Sequence, residues 1–330
     1  MNSSLLRPLS FVLICFLANS ICAQEVKLHG DCVLEFANRK QSETALTNRD
    51  VFVAAMSRFD RQSRMQAKGD PSTEEYFAFL KKHVAEWSAE QKEKATIAIK
   101  KLSEKMAGFK IPFPKKILLV TTDGKEEGGA AYCRGATIVL PQNMLRTMST
   151  SRLEQLINHE LFHVLSNQNP KLRKTMYSII GFKPCGREIQ LPKDLVNRKI
   201  TNPDGPTVDY YVEIKDEDKK EQPVVPVLFA KSNYDADKGG SFFQYLQFKL
   251  MAIEKKGDRW DAVQKDGLPV YFEPGKTPSY FEKIGNNTSY IIHPDEVLAD
   301  NFVYLIQKRK NLKTPHIVEK LRGVLTSKKQ

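Results

Sequence analysis

The segment from residue 149 to residue 170, STSRLEQLINHELFHVLSNQNP, restricts the fold more than any other stretch of the chain. Ser151 and Glu154 have the spacing of a capping box, in which two side chains satisfy free amides at the start of a helix. Asn169 and Pro170 form a helix stop. Between these signals, apolar residues recur at helical spacing: Leu153, Leu156, Ile157, Leu161, Val164 and Leu165. The segment therefore predicts one amphipathic helix that packs on a core.

This helix carries two histidines and a glutamate that can form a metal site. His159 and His163 are four residues apart, so they lie one turn apart on one side of the helix and their imidazoles can point at one ion. Neutral imidazole nitrogens suit zinc. Glu160 then lies beside the metal without binding it, placed to take a proton from a zinc-activated water and pass it to a leaving group. The alternative is two partly buried histidines bonded to carbonyl groups on an ordinary helix.

A catalytic zinc site needs a third protein ligand and an open position for water. The segment IIHPDEVLADNF predicts a later helix on which Glu296 and Asp300, four residues apart, share a face. We expect Glu296 to bind the metal and Asp300 to fix the tautomer of a ligand histidine by bonding its other ring nitrogen. His293 and Asp295 are competing ligands. A solvated helix face is the alternative without metal, since carboxylates near a helix start are common.

The two motifs together, H-E-x-x-H on one helix and E-x-x-x-D on a later one, resemble the gluzincin metallopeptidases, the group that includes thermolysin. The resemblance implies a zinc cofactor held by His159, His163 and Glu296, with Glu160 as general base and Asp300 as the residue that orients a histidine. It covers the two helices and the strands before the first of them. The chain departs from thermolysin in the 132 residues that separate His163 from Glu296, a far longer connection.

The residues before the first motif have strand composition. KKILLVTT and AAYCRGATIVLP are rich in β-branched and apolar residues, and DGKEEGG between them is typical of a turn, so we expect a β-hairpin. Zincins carry an edge strand at this point, to which an extended substrate adds by backbone hydrogen bonding. By this resemblance GATIVLP, residues 135–141, is the expected edge strand. An ordinary core strand is the alternative.

The whole chain is predicted to be α+β. Residues 24–112 are predicted to form a helical N-terminal region, because strong helix formers and helical spacing extend up to GFKIPFP. Residues 113–330 are predicted to form a zincin-like metallohydrolase domain, with a small sheet and edge strand, the active-site helix and the second ligand-bearing helix. A long insertion, at about 170–290, contains loops, a strand at 224–230 and the segment FFQYLQFKLMAIE, which suits either a strand or a helix. A helix at residues 315–325 closes the chain.

Hydrolysis through a tetrahedral intermediate also needs an oxyanion donor besides the metal. Tyr290, Tyr210 and Tyr211 are the candidates, and aromatic packing in the core is the alternative role for each. The stretch TNPDG, residues 201–205, is first of all the signature of a tight turn, with a functional loop as the alternative.

The N-terminus has the pattern of a signal peptide. A single early charge, Arg7, precedes an apolar run at residues 11–18, and small residues follow up to Ala23. The run is shorter than the roughly 20 residues that a permanent membrane anchor needs. We expect residues 1–23 to be removed near Ala23 and Gln24, and the protein to be exported and soluble, either secreted or periplasmic. An uncleaved anchor is the alternative.

The three cysteines that follow this leader, Cys32, Cys133 and Cys185, permit at most one internal disulfide, and the sequence does not select the pair. The net charge of the full chain is +12, and loss of Arg7 lowers it by one. The basic residues are scattered, which is typical of a solvated surface that associates at most loosely with anionic cell-envelope polymers. No nucleic-acid motif is present, so we expect no nucleic-acid partner.

These patterns predict an exported zinc-dependent hydrolase, specifically a metallopeptidase that uses zinc-activated water and Glu160 to cleave a peptide or protein substrate. Two other functions stay open. One is a non-catalytic envelope-binding or scaffold protein that keeps the helices as core. The other is a zinc amidase that acts on a non-protein polymer of the cell envelope, because the metal chemistry would be the same.

Overall fold

The computed structural model describes residues 25–326. Residues 1–24, which contain the predicted signal peptide, and residues 327–330 lie outside the described residues. The described part is an α+β protein with twelve α-helices and thirteen β-strands. The helices are α1 (Arg39–Leu46), α2 (Val51–Ala55), α3 (Arg58–Met65), α4 (Thr73–His83), α5 (Ala89–Met106), α6 (Gln142–Thr147), α7 (Thr150–Gln168), α8 (Pro170–Ile179), α9 (Lys193–Val196), α10 (Pro278–Ile284), α11 (Pro294–Ile306) and α12 (Pro315–Thr326).

The strands are β1 (Glu25–His29), β2 (Cys32–Phe36), β3 (Lys116–Thr122), β4 (Tyr132–Arg134), β5 (Thr137–Pro141), β6 (Lys183–Pro184), β7 (Tyr210–Lys215), β8 (Glu221–Ala230), β9 (Leu246–Lys256), β10 (Arg259–Ala262), β11 (Gln264–Lys265), β12 (Leu268–Pro269) and β13 (Tyr271–Phe272). Short 3₁₀ turns occur at Lys125–Glu127, Phe242–Gln244 and Pro274–Lys276.

The first sheet has the strand order β1-β2-β3-β5-β4. Strands β2, β3 and β5 run parallel, while β1 and β4 pair antiparallel at the two edges. Successive residues of β3 face opposite sides, as the strand period requires. Ile117 and Leu119 join the core cluster that includes residues of α5, α7, α11 and α12, whereas Val120 joins a cluster with residues of α2 and α4. Helices therefore pack on both faces of this sheet.

Two strands lie inside the region that was predicted to be helical from residue 24. In β1, Val26 and Leu28 are buried and alternate with exposed Glu25 and Lys27, which is the period of a half-buried strand. Strand β2 pairs in parallel with β3, so sequence from both sides of residue 112 shares one sheet. The prediction of helix throughout residues 24–112 is wrong for these two short strands, while α1 to α5 follow where helical spacing was found.

The predicted hairpin of KKILLVTT with AAYCRGATIVLP is wrong. Strands β3 and β5 are parallel neighbours, and the antiparallel hairpin is β4–β5, with Gly135 at a φ of 61° in its turn. Because glycine adopts this left-handed conformation easily, the chain reverses there rather than at DGKEEGG. Consequently β5, which contains most of GATIVLP, lies inside the sheet, and the edge strand is β4 instead.

Helix α7 has the predicted extent but a different N-cap. It begins at Thr150, and the Ser149 side chain accepts a hydrogen bond from the backbone of Arg152 at 3.3 Å. The predicted capping box of Ser151 and Glu154 is therefore wrong: the Glu154 carboxylate forms an ion pair with Lys105 of α5. The predicted stop at Asn169-Pro170 is confirmed, since α7 ends at Gln168 and Pro170 begins α8.

The insertion forms a second, antiparallel sheet with the order β10-β9-β8-β7-β6, in which β13 also pairs with β9. Strand β8 contains the strand predicted at 224–230, and β9 shows that FFQYLQFKLMAIE is mainly a strand. The helices predicted around HPDEVLAD and at 315–325 are confirmed as α11 and α12.

Within residues 25–326, the three cysteines are buried and unpaired, so no disulfide forms there. None of the helices in this part of the chain has the length and apolar character needed to cross a membrane.

A buried carboxyl group beside β3 is expected to make stability depend on pH. Glu126 is fully buried, and Thr122 Oγ1 donates a hydrogen bond to its Oε1 at 2.6 Å. Burial raises the pKa of Glu126 from 4.5 to about 7. Between these two pH values the folded state holds a proton that the unfolded state releases, so stability falls as pH rises, by about 3 kcal/mol in total.

Glu126→Gln is expected to remove this loss, because the amide does not ionise. Urea unfolding at pH 5 and pH 8 measures it, with the exposed Glu282→Gln as the matched control. The same pH dependence in Glu126→Gln as in the native chain would contradict the assignment.

Candidate metal centre

Helices α7 and α11 pack side by side and bring both sequence motifs to one place. Their apolar faces belong to one core cluster, in which the rings of Phe162 and Phe302 lie 5.7 Å apart. Residue His293 caps α11, accepting a hydrogen bond from the backbone of Asp295, and Pro294 occupies the first turn as predicted. The remaining side of each helix, which carries the polar motif residues, faces the other helix.

The two motif histidines converge on one carboxylate oxygen. His159 Nε2 lies 3.0 Å from Glu296 Oε2, and His163 Nε2 lies 3.4 Å from the same atom. These three residues each offer one ligand atom, all within 4.8 Å of one another. The side chains of His163 and Glu296 are 1% exposed. Among the described residues, His163 Nε2 is buried with no hydrogen-bond partner, so it has a free lone pair or proton at this point.

The outer nitrogen of His163 is held by a buried carboxylate. His163 Nδ1 lies 2.7 Å from Asp295 Oδ2, and the other oxygen of Asp295 accepts hydrogen bonds from Ser166 Oγ at 2.5 Å and Tyr177 Oη at 2.7 Å. Asp295, a competing ligand in the sequence, thus faces the far nitrogen of the ring. This carboxylate fixes the tautomer that leaves Nε2 free for a metal.

The outer nitrogen of His159 has the same kind of support. His159 Nδ1 lies 3.1 Å from Asp300 Oδ1, and Thr288 Oγ1 donates a hydrogen bond to the other oxygen of Asp300. The ring of Tyr290 stacks on the His159 ring with their centroids 6.1 Å apart. Asp300 therefore stands where the sequence predicted it, behind a motif histidine.

The general-base candidate lies at the same centre. Glu160 is 3% exposed, and its Oε2 is buried without a hydrogen-bond partner among residues 25–326. Burial raises the pKa of Glu160, an effect that the nearby His163 and His159 oppose. Glu160 can thus accept a proton more readily than an exposed glutamate.

A further acidic residue was missed by the sequence analysis. Asp204, in the stretch TNPDG, offers an oxygen within the same 4.8 Å limit of Glu160 and His163. Its Oδ1 accepts a hydrogen bond from the backbone N–H of Cys133 at 2.6 Å. The neighbouring Asn202 donates a hydrogen bond from Nδ2 to Glu296 Oε1 at 2.6 Å. No spacing in the sequence connects this turn to α7, so only the folded chain reveals the proximity.

The other sequence candidates lie at different distances from this centre. The ring of His293 lies against Gly205, and no ring nitrogen of His293 belongs to either ligand group. Tyr210 packs on Tyr177 with ring centroids 4.6 Å apart, and Tyr177 in turn donates a hydrogen bond to Asp295. The structure does not bring Tyr211 to the site: strand alternation in β7 turns it to the other face, where its ring lies 4.5 Å from Trp260.

Acidic side chains outnumber the histidines at the centre. Five carboxylates surround the two imidazoles: Glu160, Asp204, Asp295, Glu296 and Asp300. Burial lowers the pKa of His159, but the hydrogen bonds that its ring donates to Asp300 and Glu296 outweigh this effect and raise the pKa to about 10. Burial likewise opposes protonation of His163, yet Asp204 and Glu296 hold its pKa well above the usual value. A divalent cation would take the place of the protons on these two rings, so a metal fits this centre.

No protein-family model matches the chain, and no curated protein or solved structure matches it either. The chemistry of the centre therefore rests on its own residues. Those residues supply two imidazole nitrogens, one shared carboxylate oxygen and a buried glutamate next to them.

Proposed function

We propose that the chain is an exported zinc metallopeptidase with a zincin-like arrangement of α7, α11 and the first sheet. The observation that carries this proposal is the convergence of His159 Nε2 and His163 Nε2 on Glu296 Oε2. The carboxylates of Asp300 and Asp295 behind the two rings support the same assignment.

The donor set fits zinc better than the other common divalent ions. Mg²⁺ and Ca²⁺ prefer oxygen ligands, whereas two imidazoles with one carboxylate form a ligand set of catalytic zinc enzymes. The free Nε2 of His163 is the kind of buried polar atom that needs a partner, and an ion between the three residues would supply it.

Zinc bound here would act as a Lewis acid that polarises a substrate carbonyl and lowers the pKa of the attacking water. Glu160 would take a proton from the attacking water and return it to the leaving amine. The low exposure of Glu160 keeps bulk water away from this proton transfer. Tyr290, stacked on His159, is the tyrosine best placed to donate a hydrogen bond to the developing oxyanion.

The edge strand β4 favours a peptide as the substrate. The backbone N–H of Cys133 bonds to Asp204 rather than to β5, so it points outward from the sheet. This outward N–H lies beside the site, because its partner Asp204 also groups with Glu160 and His163. An extended peptide can add to such an edge.

Zinc analysis combined with cleavage of a mixed peptide library tests the proposal. We expect one zinc per chain, cleavage that a chelator abolishes and zinc restores, and the same behaviour in the exposed control His316→Ala. Isolated cell-wall polymer is the second substrate. Release of amines from the polymer alone would indicate an amidase instead, and a native chain without zinc would overturn the metal assignment.

Asp300→Asn is expected to weaken zinc binding by about 10- to 100-fold. The amide keeps the shape of the side chain but removes the negative charge that orients and polarises His159. Competition with a chelating dye measures the affinity, with Asp258→Asn, an exposed site, as the control. Equal affinities of native and Asp300→Asn protein would remove Asp300 from this role.

A further inference from the structure

The turn at residues 201–205 lies against the metal centre. Asn202 donates a hydrogen bond to Glu296 Oε1 at 2.6 Å, and Asn202 Oδ1 accepts one from the backbone of Asp204 at 3.1 Å. Asp204 is 7% exposed. Its carboxylate groups with Glu160 and His163 as a second possible set of metal ligands. The turn therefore reaches the centre through two of its side chains.

The two ligand groups meet at one histidine. His163 belongs to each of them, and its Nδ1 is occupied by Asp295. Only Nε2 remains, and one ring nitrogen binds one ion. The carboxylate of Asp204 therefore lies beside the position that His159, His163 and Glu296 define. His163 Nε2 and Glu160 Oε2 are buried without a hydrogen-bond partner. They independently indicate that a ligand binds between these residues.

The same carboxylate also blocks the substrate edge. The outward N–H of Cys133 on β4 donates a hydrogen bond to Asp204 Oδ1, with a nitrogen–oxygen distance of 2.6 Å. An extended peptide that added to this edge would need that N–H. Asp204 thus competes with a peptide for the edge strand and with water for the metal.

The turn is held in place by a buried ion network. Asp60 accepts hydrogen bonds from Thr201 N at 3.0 Å and Thr201 Oγ1 at 2.7 Å, while Arg64 donates to Thr201 O at 3.0 Å. Arg64 is itself paired with Asp60 and Glu127, and the side chains of all three are at most 3% exposed. Breaking such a network leaves uncompensated buried charge, so the start of the turn is firmly fixed.

The end of the turn is fixed by close packing. A Cβ added to Gly205 would lie 2.2 Å from the ring of His293, the N-cap of α11. Only glycine permits this approach of the backbone to the helix that carries Glu296. Both ends of the turn are therefore built into the fold, with α3 holding one and α11 the other.

We propose that Asp204 is a fourth protein ligand of the zinc, whose side chain competes with water and substrate for the metal while the backbone of the turn at residues 201–205 stays anchored. The proposal rests on the proposed zinc site. Four protein ligands make a closed zinc centre, whereas a catalytic centre has three and an open position. Rotation of the Asp204 side chain away from the centre would free both the metal position and the Cys133 N–H for a substrate.

The decisive variant is Asp204→Asn, because its amide oxygen can still accept the hydrogen bond from Cys133 while the anionic ligand is lost. We expect zinc affinity to fall by about 100-fold. At saturating zinc we expect peptide cleavage to rise by about tenfold or more, since a tethered ligand competes at high effective concentration. Asp194→Asn, at a half-exposed position of the same insertion, is the matched control. Unchanged zinc affinity in Asp204→Asn would overturn the proposal.

A measurement on the native chain keeps the proposal testable if Asp204→Asn does not fold. With Co²⁺ in place of zinc, oxygen-17-labelled water broadens the electron paramagnetic resonance signal only when a water binds the metal. We expect no broadening in the native chain, and broadening there would overturn the fourth ligand. Failure of the zinc site itself would look different, because native protein and the Asp194→Asn control would then bind neither metal.

Discussion

Glu160→Gln is expected to lower kcat for peptide cleavage by about 10³-fold while leaving zinc bound. The amide has the size of the carboxylate but cannot take a proton, and Glu160 is the buried carboxyl that has a free oxygen beside His163. Rates and zinc content are measured in the native chain and in the Asp204→Asn background, so that a closed centre does not hide the effect.

Glu154→Gln is the matched control for this prediction, because Glu154 lies on the same helix and its carboxylate pairs with Lys105 away from the centre. A loss of zinc in Glu160→Gln would contradict the assignment and make Glu160 a ligand with His163 and Asp204. A fall in rate below tenfold would likewise remove Glu160 as the base, since general-base catalysis contributes about 10²-fold or more.

Glu296→Gln is expected to weaken zinc binding by about 10²- to 10³-fold. Structural zinc sites bind with about 10–16 kcal/mol shared among four ligands, so one ligand contributes roughly 2.5–4 kcal/mol. The glutamine can still accept the hydrogen bond from Asn202, so the loss should be one of metal binding rather than of folding. Dye competition measures the affinity, and thermal unfolding without metal checks the fold.

The exposed Glu319→Gln on α12 is the control for this variant. An unchanged affinity in Glu296→Gln would contradict the central role of Glu296. It would also mean that the carboxylates of α11 lie near the histidines of α7 without taking part in metal binding.

Local periodicity was enough to predict the parts of the centre that lie on helices. The four-residue spacing of His159 and His163, and of Glu296 and Asp300, fixes which side chains share a helix face, whatever the rest of the chain does. The pairing of the two helices was proposed from the need for a third ligand, and the resemblance to gluzincins supported it. The structure packs α7 against α11 across the 132 residues between the motifs.

Features that depend on tertiary contacts could not be predicted from the sequence. Asp204 reaches the centre because Thr201 and Gly205 are anchored by distant helices, and a turn signature contains no information about such anchors. Likewise, β5 lies inside the sheet because β4 folds back on its outer side, a pairing that strand composition alone does not determine. Tyr211 was a candidate by type, but its strand turns it toward Trp260.

One of the N-terminal helices, α3, holds the turn next to the metal centre, a role that could not be predicted from the sequence. Asp60 and Arg64 on α3 bind the turn that approaches the metal centre, and Glu127 between β3 and β4 completes the buried network. These three charged residues come from two segments that are distant in sequence. Two of them, Asp60 and Arg64, form hydrogen bonds with Thr201 in a third segment. Helix α3 is therefore connected to the centre through residue 201.

Anomalous diffraction at the zinc edge from crystals of the zinc-loaded native chain tests the central claim most directly. We expect a single peak between His159 Nε2, His163 Nε2 and the carboxylate of Glu296, each within about 2.0–2.2 Å of the ion. The absence of a peak there, or an ion bound by Glu160, His163 and Asp204 without Glu296, would contradict the account.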